Sequence, residues 1–245
     1  MALVELTDRG WFCRAGDFFI DPHRSVPKAF ITHGHADHAR KGNEQYFCTP
    51  LTAQILKLRL GAEFVFHPMS FNEEMRINGV RVSFHPAGHV PGSAQLRIEH
   101  KGEVWVISGD YKLEDDGLSA PFQAVKCHHF ISECTFGLPV FQWRPQQRVK
   151  QEILAWYDEN CLNEHCSFLN AYSLGKAQRL IHLLVEELEE IWVHPAVGQL
   201  NQVILPDSVQ KKTRIVHDSI PENIAKKALV ILPPQGNVKT GRVPV

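Results

Sequence analysis

Six consecutive residues, His33-Gly34-His35-Ala36-Asp37-His38, carry four side chains that bind metal ions. Imidazole nitrogens and a carboxylate are the donors that a borderline cation such as zinc prefers. Gly34 and Ala36 are small, so the backbone can turn sharply between the donors. On a strand, His33 and His35 share one face; on a tight loop all four side chains can converge. The run follows the mostly apolar segment Val26 to Thr32, which reads as a strand. A merely solvated loop is the competing reading, and the density of donors argues against it.

Two further donors stand in similar settings. His89 lies in a turn of small residues from Pro86 to Ala94, and Asp110 follows the apolar run Val104 to Ile107 through Ser108 and Gly109. Alone, each reads as a turn residue satisfying its own backbone. With the first run, each completes a site otherwise short of donors. The other histidines, out of fourteen in all, are read as structural or surface residues.

The first half of the chain reads as strands joined by tight turns. Glu74–Ile77 and Val80–Phe84 flank Asn78-Gly79, a strong hairpin signal. Ala94–Glu99 and Glu103–Ser108 flank His100-Lys101-Gly102, a second hairpin, and Phe130-Ile131 is a third short strand. A helix is expected from Thr49 to about Leu60, with Pro50 at its start and Gly61 at its stop. The second half alternates helix and strand: helices over Gln146–Tyr157 and Gly175–Glu190, strands over Ser167–Ala171, Ile191–Val193, Arg214–Val216 and Ala228–Leu232. That succession predicts a separate α/β unit, with domains at 1–145 and 146–245. An apolar share of 44% and a charged share of 22% are those of a globular chain. The net charge of −1 argues neither for nor against nucleic acid. There is no run long and apolar enough to span a membrane. Six scattered cysteines without a C-x-x-C pair, and no leader pattern at the start, point to free thiols and a cytoplasmic location.

In order and approximate spacing, His33-x-His35-x-Asp37-His38, Gly88-His89 and Ser108-Gly109-Asp110 resemble the signature of the metallo-β-lactamase superfamily. Ile131-Ser132-Glu133-Cys134-Thr135-Phe136-Gly137, the turn Pro86 to Ala94, and Asn170 to Gln178 are similar to its β-CASP branch, which cleaves nucleic acids. Ile20-Asp21-Pro22-His23 and Glu133 to Gly137 are most similar to bacterial ligase-associated DNA exonucleases. The resemblance covers about residues 3 to 232. It implies an α/β fold, a four-layer αββα sandwich, with two divalent metal ions, zinc or manganese. His33, His35 and His89 would hold one metal, Asp37 and His38 the other, and Asp110 would bridge them. Partners implied are DNA ends or single strands, an ATP-dependent DNA ligase and a helicase. The branch also places a further metal-binding histidine after its inserted domain. Nothing like it precedes Val245, so an incomplete inserted β-CASP domain is expected.

In this reading Asp37 orients or deprotonates the attacking water, and Glu133 accepts the free N–H of a ligand imidazole. Ser173, Gly175 and Lys176, at the start of a helix, are candidate phosphate contacts; a plain N-cap by Ser173 is the alternative. Two other functions remain open: hydrolysis of a small thioester or lactone at the same metals, and a non-catalytic DNA-binding remnant.

Overall fold

A computed structural model describes residues 2–217 and 219–240. The chain divides into two compact units, Met1–Phe136 and Gly137–Val245.

The first unit is built on two sheets. One has six strands in sequence order: β1 (Val4–Thr7), β2 (Gly10–Cys13), β3 (Phe18–Ile20), β4 (Lys28–Phe30), β5 (Gln45–Cys48) and β6 (Val65–Pro68). The first three pair antiparallel, and β3 through β6 pair parallel. Helix α1 (Pro50–Leu60) crosses between β5 and β6. The other sheet contains β7 (Glu74–Ile77), β8 (Val80–Pro86), β9 (Ala94–His100), β10 (Glu103–Ile107) and β11 (His129–Ile131), in the order β11-β10-β9-β8-β7. It is antiparallel except for the parallel pair β10–β11.

Local chemistry accounts for these elements. Asn78 and Gly79 both have positive φ, as do Lys101 and Gly102, the requirement of the hairpin turn that matches strand twist. The Thr49 side chain accepts the Thr52 N–H at the start of α1, Pro50 follows, and Gly61 closes the helix with φ 117°. The alternation along β4 separates two cores. Ala29 and Ile31 pack with Ala53, Leu56 and Leu60 of α1. Phe30 points the other way, fully buried beside Phe18, Phe47 and Phe84 between the sheets. Its truncation to alanine is worth about 3–5 kcal/mol.

Residues 108–128 form neither helix nor strand. They bind the sheet through the Gln123 N–H to Pro86, the His128 N–H to Val104, and the Gln95 amide to the Gln123 carbonyl. Among the described residues, α1 is the one helix of the first unit.

The second unit contains α2 (Gln146–Leu162), β12 (Ser167–Asn170), α3 (Lys176–Leu184), β13 (Ile191–Val193), α4 (Pro195–Ile204), α5 (Asp207–Gln210), β14 (Thr213–Ile215), β15 (Ser219–Ile220), α6 (Glu222–Ala225), β16 (Leu229–Leu232) and β17 (Lys239–Thr240). Its main sheet is wholly parallel in the order β12-β16-β13-β14. Two expectations change. Helix α3 stops at Leu184 rather than near Glu190, because Glu186, Glu187, Glu189 and Glu190 would crowd acid at the negative end of the helix dipole. Helix α4 was not foreseen; it starts on Pro195 and is capped by the His194 ring, which accepts the Ala196 N–H. All six cysteines are free.

Candidate metal centre

The donors collect where strands of the first unit end. His33 to His38 leave β4 through a non-strand turn, closed by the Ala39 N–H donating to the His35 carbonyl. The Gly34 carbonyl accepts from the Arg59 guanidinium at the end of α1. His89 stands in the turn between β8 and β9, its N–H bound to Ser93 Oγ. Asp110 follows β10, and Glu133 follows β11. Because β10 and β11 run parallel with Ile107 opposite Ile131, both acids emerge at the same edge.

Two groups result, sharing Asp110. One donor atom each from His33, His35, His89 and Asp110 lie within 4.8 Å of one another, as do donors from His38, Asp110 and Glu133. In the first group, His33 Nε2 and His35 Nδ1 are 3.0 Å apart, and His89 Nε2 and His35 Nδ1 are 3.3 Å apart. The His33 ring stands nearly perpendicular to those of His35 and His89. Asp110 Oδ2 lies 3.3 Å from His89 Nε2 and 3.9 Å from His33 Nε2. Several ring nitrogens thus converge on one point with a carboxylate beside them. A cation at that point turns their lone pairs from competing acceptors into donors, so the residues fit a metal of the zinc type.

Electrostatics divides the two groups. Burial, then the neighbouring imidazoles and Arg59, push His33 well below the usual histidine range. Burial also pulls His89 down to about 4, with Asp110 opposing. Both rings are therefore neutral at pH 7, the state that binds metal. For His38, burial pulls the same way, but the hydrogen bond and charge of Asp21, with Glu133 and Asp37, outweigh it and raise the ring to about 9. Burial and the nearby charges of Asp110, Asp37 and Asp21 raise the Glu133 carboxyl against the pull of His38.

The placement of the sequence-derived residues differs in two ways from expectation. His33, His35, His38, His89 and Asp110 come together. Asp37 lies outside the second group of converging donors: its side chain is 72% exposed, with Oδ2 3.9 Å from His38 Nε2, though it lines a cavity of about 270 Å³ together with Asp21, His38 and Glu133. Glu133 takes that place, 3.5 Å from His38 Nε2. The acceptor of the His38 Nδ1–H is Asp21, at 2.8 Å, rather than Glu133. Asp21 also accepts the Thr32 N–H at 2.8 Å and the Thr32 hydroxyl at 2.6 Å, clamping the strand end that leads into His33. Sequence reasoning missed this role and that of Arg59. The available signal for Asp21 was an acid before a proline at a strand end.

In the second unit, Gly175 rather than Ser173 is the N-cap of α3, with φ 89°. The Gly175 N–H donates to Gln178 Oε1 at 2.7 Å, the Ala177 N–H to the Tyr172 carbonyl, and the Gln178 amide to the Ser173 carbonyl. Lys176 is exposed. Ser173 lines a cavity of about 360 Å³ with Tyr172, Pro233, Pro234 and Gln235.

No protein-family model matches the chain. It is 31% identical over 189 residues to a probable DNA ligase of Opitutus terrae, covering 76% of this chain and 18% of that protein. It is 27% identical over 155 residues to the DNA cross-link repair 1A protein of Homo sapiens, covering 60% and 15%. It is 31% identical over 137 residues to the endoribonuclease ysh1 of Emericella nidulans, covering 54% and 15%. The chain spans less than a fifth of the length of each of these relatives. Among solved structures, a protein of unknown function from Enterococcus faecalis shares its fold, with a TM-score of 0.56 at 13% identity over 84% of this chain and 58% of that one.

Proposed function

We propose, for a chain that belongs to the β-CASP branch of the metallo-β-lactamase superfamily, that it is a metal-dependent phosphodiesterase acting on DNA. The finer reading is an exonuclease that works in repair beside a ligase. The observation that carries it is the pair of donor groups joined at Asp110. Divalent ions held there would supply positive charge against the phosphodiester and lower the pKa of an attacking water.

The chain's own residues supply the rest. His33, His35 and His89 would hold one ion through their ring nitrogens. Asp110 faces both groups, and His38 with Glu133 completes the second. Asp21 fixes the His38 ring by holding its Nδ1–H. Asp37, exposed beside His38, would accept a proton from the attacking water. Of the candidate phosphate contacts, Gly175 has spent its N–H on Gln178, so the role narrows to the Lys176 ammonium and the Ser173 hydroxyl.

Relatives named for cross-link repair and RNA cleavage support phosphodiester hydrolysis. The relative named as a probable ligase aligns over a small part of its length, which supports association with ligation rather than ligation by this segment.

End-labelled DNA, single-stranded and duplex, tests the reading with added Mn²⁺ or Zn²⁺. The expected result is stepwise shortening from one end, abolished by chelator. Cutting at internal positions would replace the exonuclease with an endonuclease. Intact DNA alongside hydrolysis of a simple thioester would overturn the nuclease reading.

A further inference from the structure

The turn that presents His89 and the segment that presents Asp110 meet backbone to backbone. The Lys112 N–H donates to the Ala87 carbonyl at 3.0 Å. The Lys112 carbonyl oxygen lies 2.2 Å from where a Cβ on Gly88 would sit, and Gly88 has φ 73°. There is no room for a side chain between the two segments, so a shift of Lys112 carries directly into His89. Asp110 lies two residues before Lys112. The distance between these two donors therefore depends on where Lys112 is held.

Lys112 sits in a stretch without helix or strand, so no ladder of backbone hydrogen bonds fixes it. Its ammonium is instead bound by the Asp116 carboxylate. Asp116 is itself anchored: its Oδ1 accepts the N–H groups of Leu118 at 3.1 Å and Ser119 at 2.8 Å. Only 3% of its side chain is exposed. Burial works against the charge on Asp116, but Lys112 and the two N–H groups hold its carboxyl below the usual range. A charge this deep, with its hydrogen bonds met, persists only in one geometry.

From these contacts we propose that Asp116 is a positioning residue of the metal centre. With Lys112 it staples the segment after β10 against the turn before His89, and so sets the separation of Asp110 from His89. The inference rests on the metal-centre reading and concerns metal binding, whatever the substrate.

Co²⁺ added to the metal-free full-length chain tests it, read by calorimetry and by the visible absorption of the bound ion. Asp116→Asn keeps an acceptor for the two N–H groups and turns an amide toward Lys112. Its expected effect is about 10–100-fold weaker binding of the first equivalent, with an altered visible band. Lys112→Met is expected to act in the same direction, and serves alone if Asp116→Asn does not fold. The double variant is expected to be no weaker than the worse single one, since both break the same link. A lowered melting temperature with unchanged affinity and band would make the pair a structural staple only and overturn the inference. If the parent itself binds no Co²⁺, the metal-centre reading falls and takes this inference with it. A parent that binds and variants that match it sink this inference alone.

Discussion

The two halves of the candidate metal centre share a carboxylate but carry different charge states. Around His33 and His89, burial and neighbouring imidazoles keep the rings neutral. Around His38, three carboxylates reverse the effect of the same burial. Four donors adjacent in sequence are thus split by what each ring meets in space. The first half is ready for a cation at neutral pH. The second must give up a proton to bind one, so its affinity is tied to pH. The difference teaches that a donor's readiness is set by residues far from it in the chain, Asp21 above all.

The largest expected effect comes from removing what the halves have in common. Asp110→Ala deletes a donor from both groups, so bound metal should fall from two equivalents toward none, and DNA cleavage to the level seen with chelator. Elemental analysis after gel filtration reads this directly; an equivalent retained at full affinity would mean that Asp110 serves one half only. Next comes the choice between two acids. Glu133 stands in the second group and Asp37 outside it. Glu133→Ala should therefore weaken the second equivalent, while Asp37→Ala should leave both equivalents bound and lower the cleavage rate. Stoichiometry and rate measured on the same samples separate these outcomes, and the reverse pattern would restore Asp37 as a donor.

A smaller effect isolates the contrast itself. Asp21→Asn removes the charge that holds His38 protonated but leaves a hydrogen-bonding side chain of the same shape. Histidine signals followed by NMR in the metal-free chain should show His38 titrating well below its present value of about 9. Affinity for the second equivalent should then lose its dependence on pH between about 6.5 and 9, because no proton is left on His38 to displace, with the first equivalent unaffected. A His38 that still titrates near 9 would show that Glu133 and Asp37 suffice without Asp21.

These cases mark what could be read from the chain. His33 to His38, His89 and Asp110 were legible because short spacing or small flanking residues announce them. The hairpin at Asn78-Gly79 was legible because Asn and Gly are among the few residues that readily accept positive φ. Asp21, Arg59 and the exchange of Asp37 for Glu133 were not. Their roles depend on register: Asp21 reaches Thr32 eleven residues on, and Glu133 reaches His38 because Ile131 pairs with Ile107. The turn at Gly175 shows the converse. Its glycine and following helix look like a phosphate cradle in sequence, yet Gln178 three residues later takes up the N–H. Local pattern reports the backbone; it does not report which groups the backbone has already satisfied.

The smallest effect is on stability, and its sign differs between the halves. The usual histidine value is about 6.5. His38, raised to about 9 in the folded chain, contributes stability that is full below pH 6.5 and is lost as pH rises through 9. His89, lowered to about 4, contributes stability that is full above pH 6.5 and is lost as pH falls through 4. Melting temperatures of the metal-free chain between pH 4 and 9.5 contain both trends together with those of other groups, so the test is the difference between parent and variant. Subtracting the His38→Gln curve should leave a term confined to the alkaline side, falling as pH rises. Subtracting the His89→Gln curve should leave one confined to the acid side, falling as pH drops. If both difference curves fell on the same side, the two halves would share one charge state, and the contrast between them would not hold.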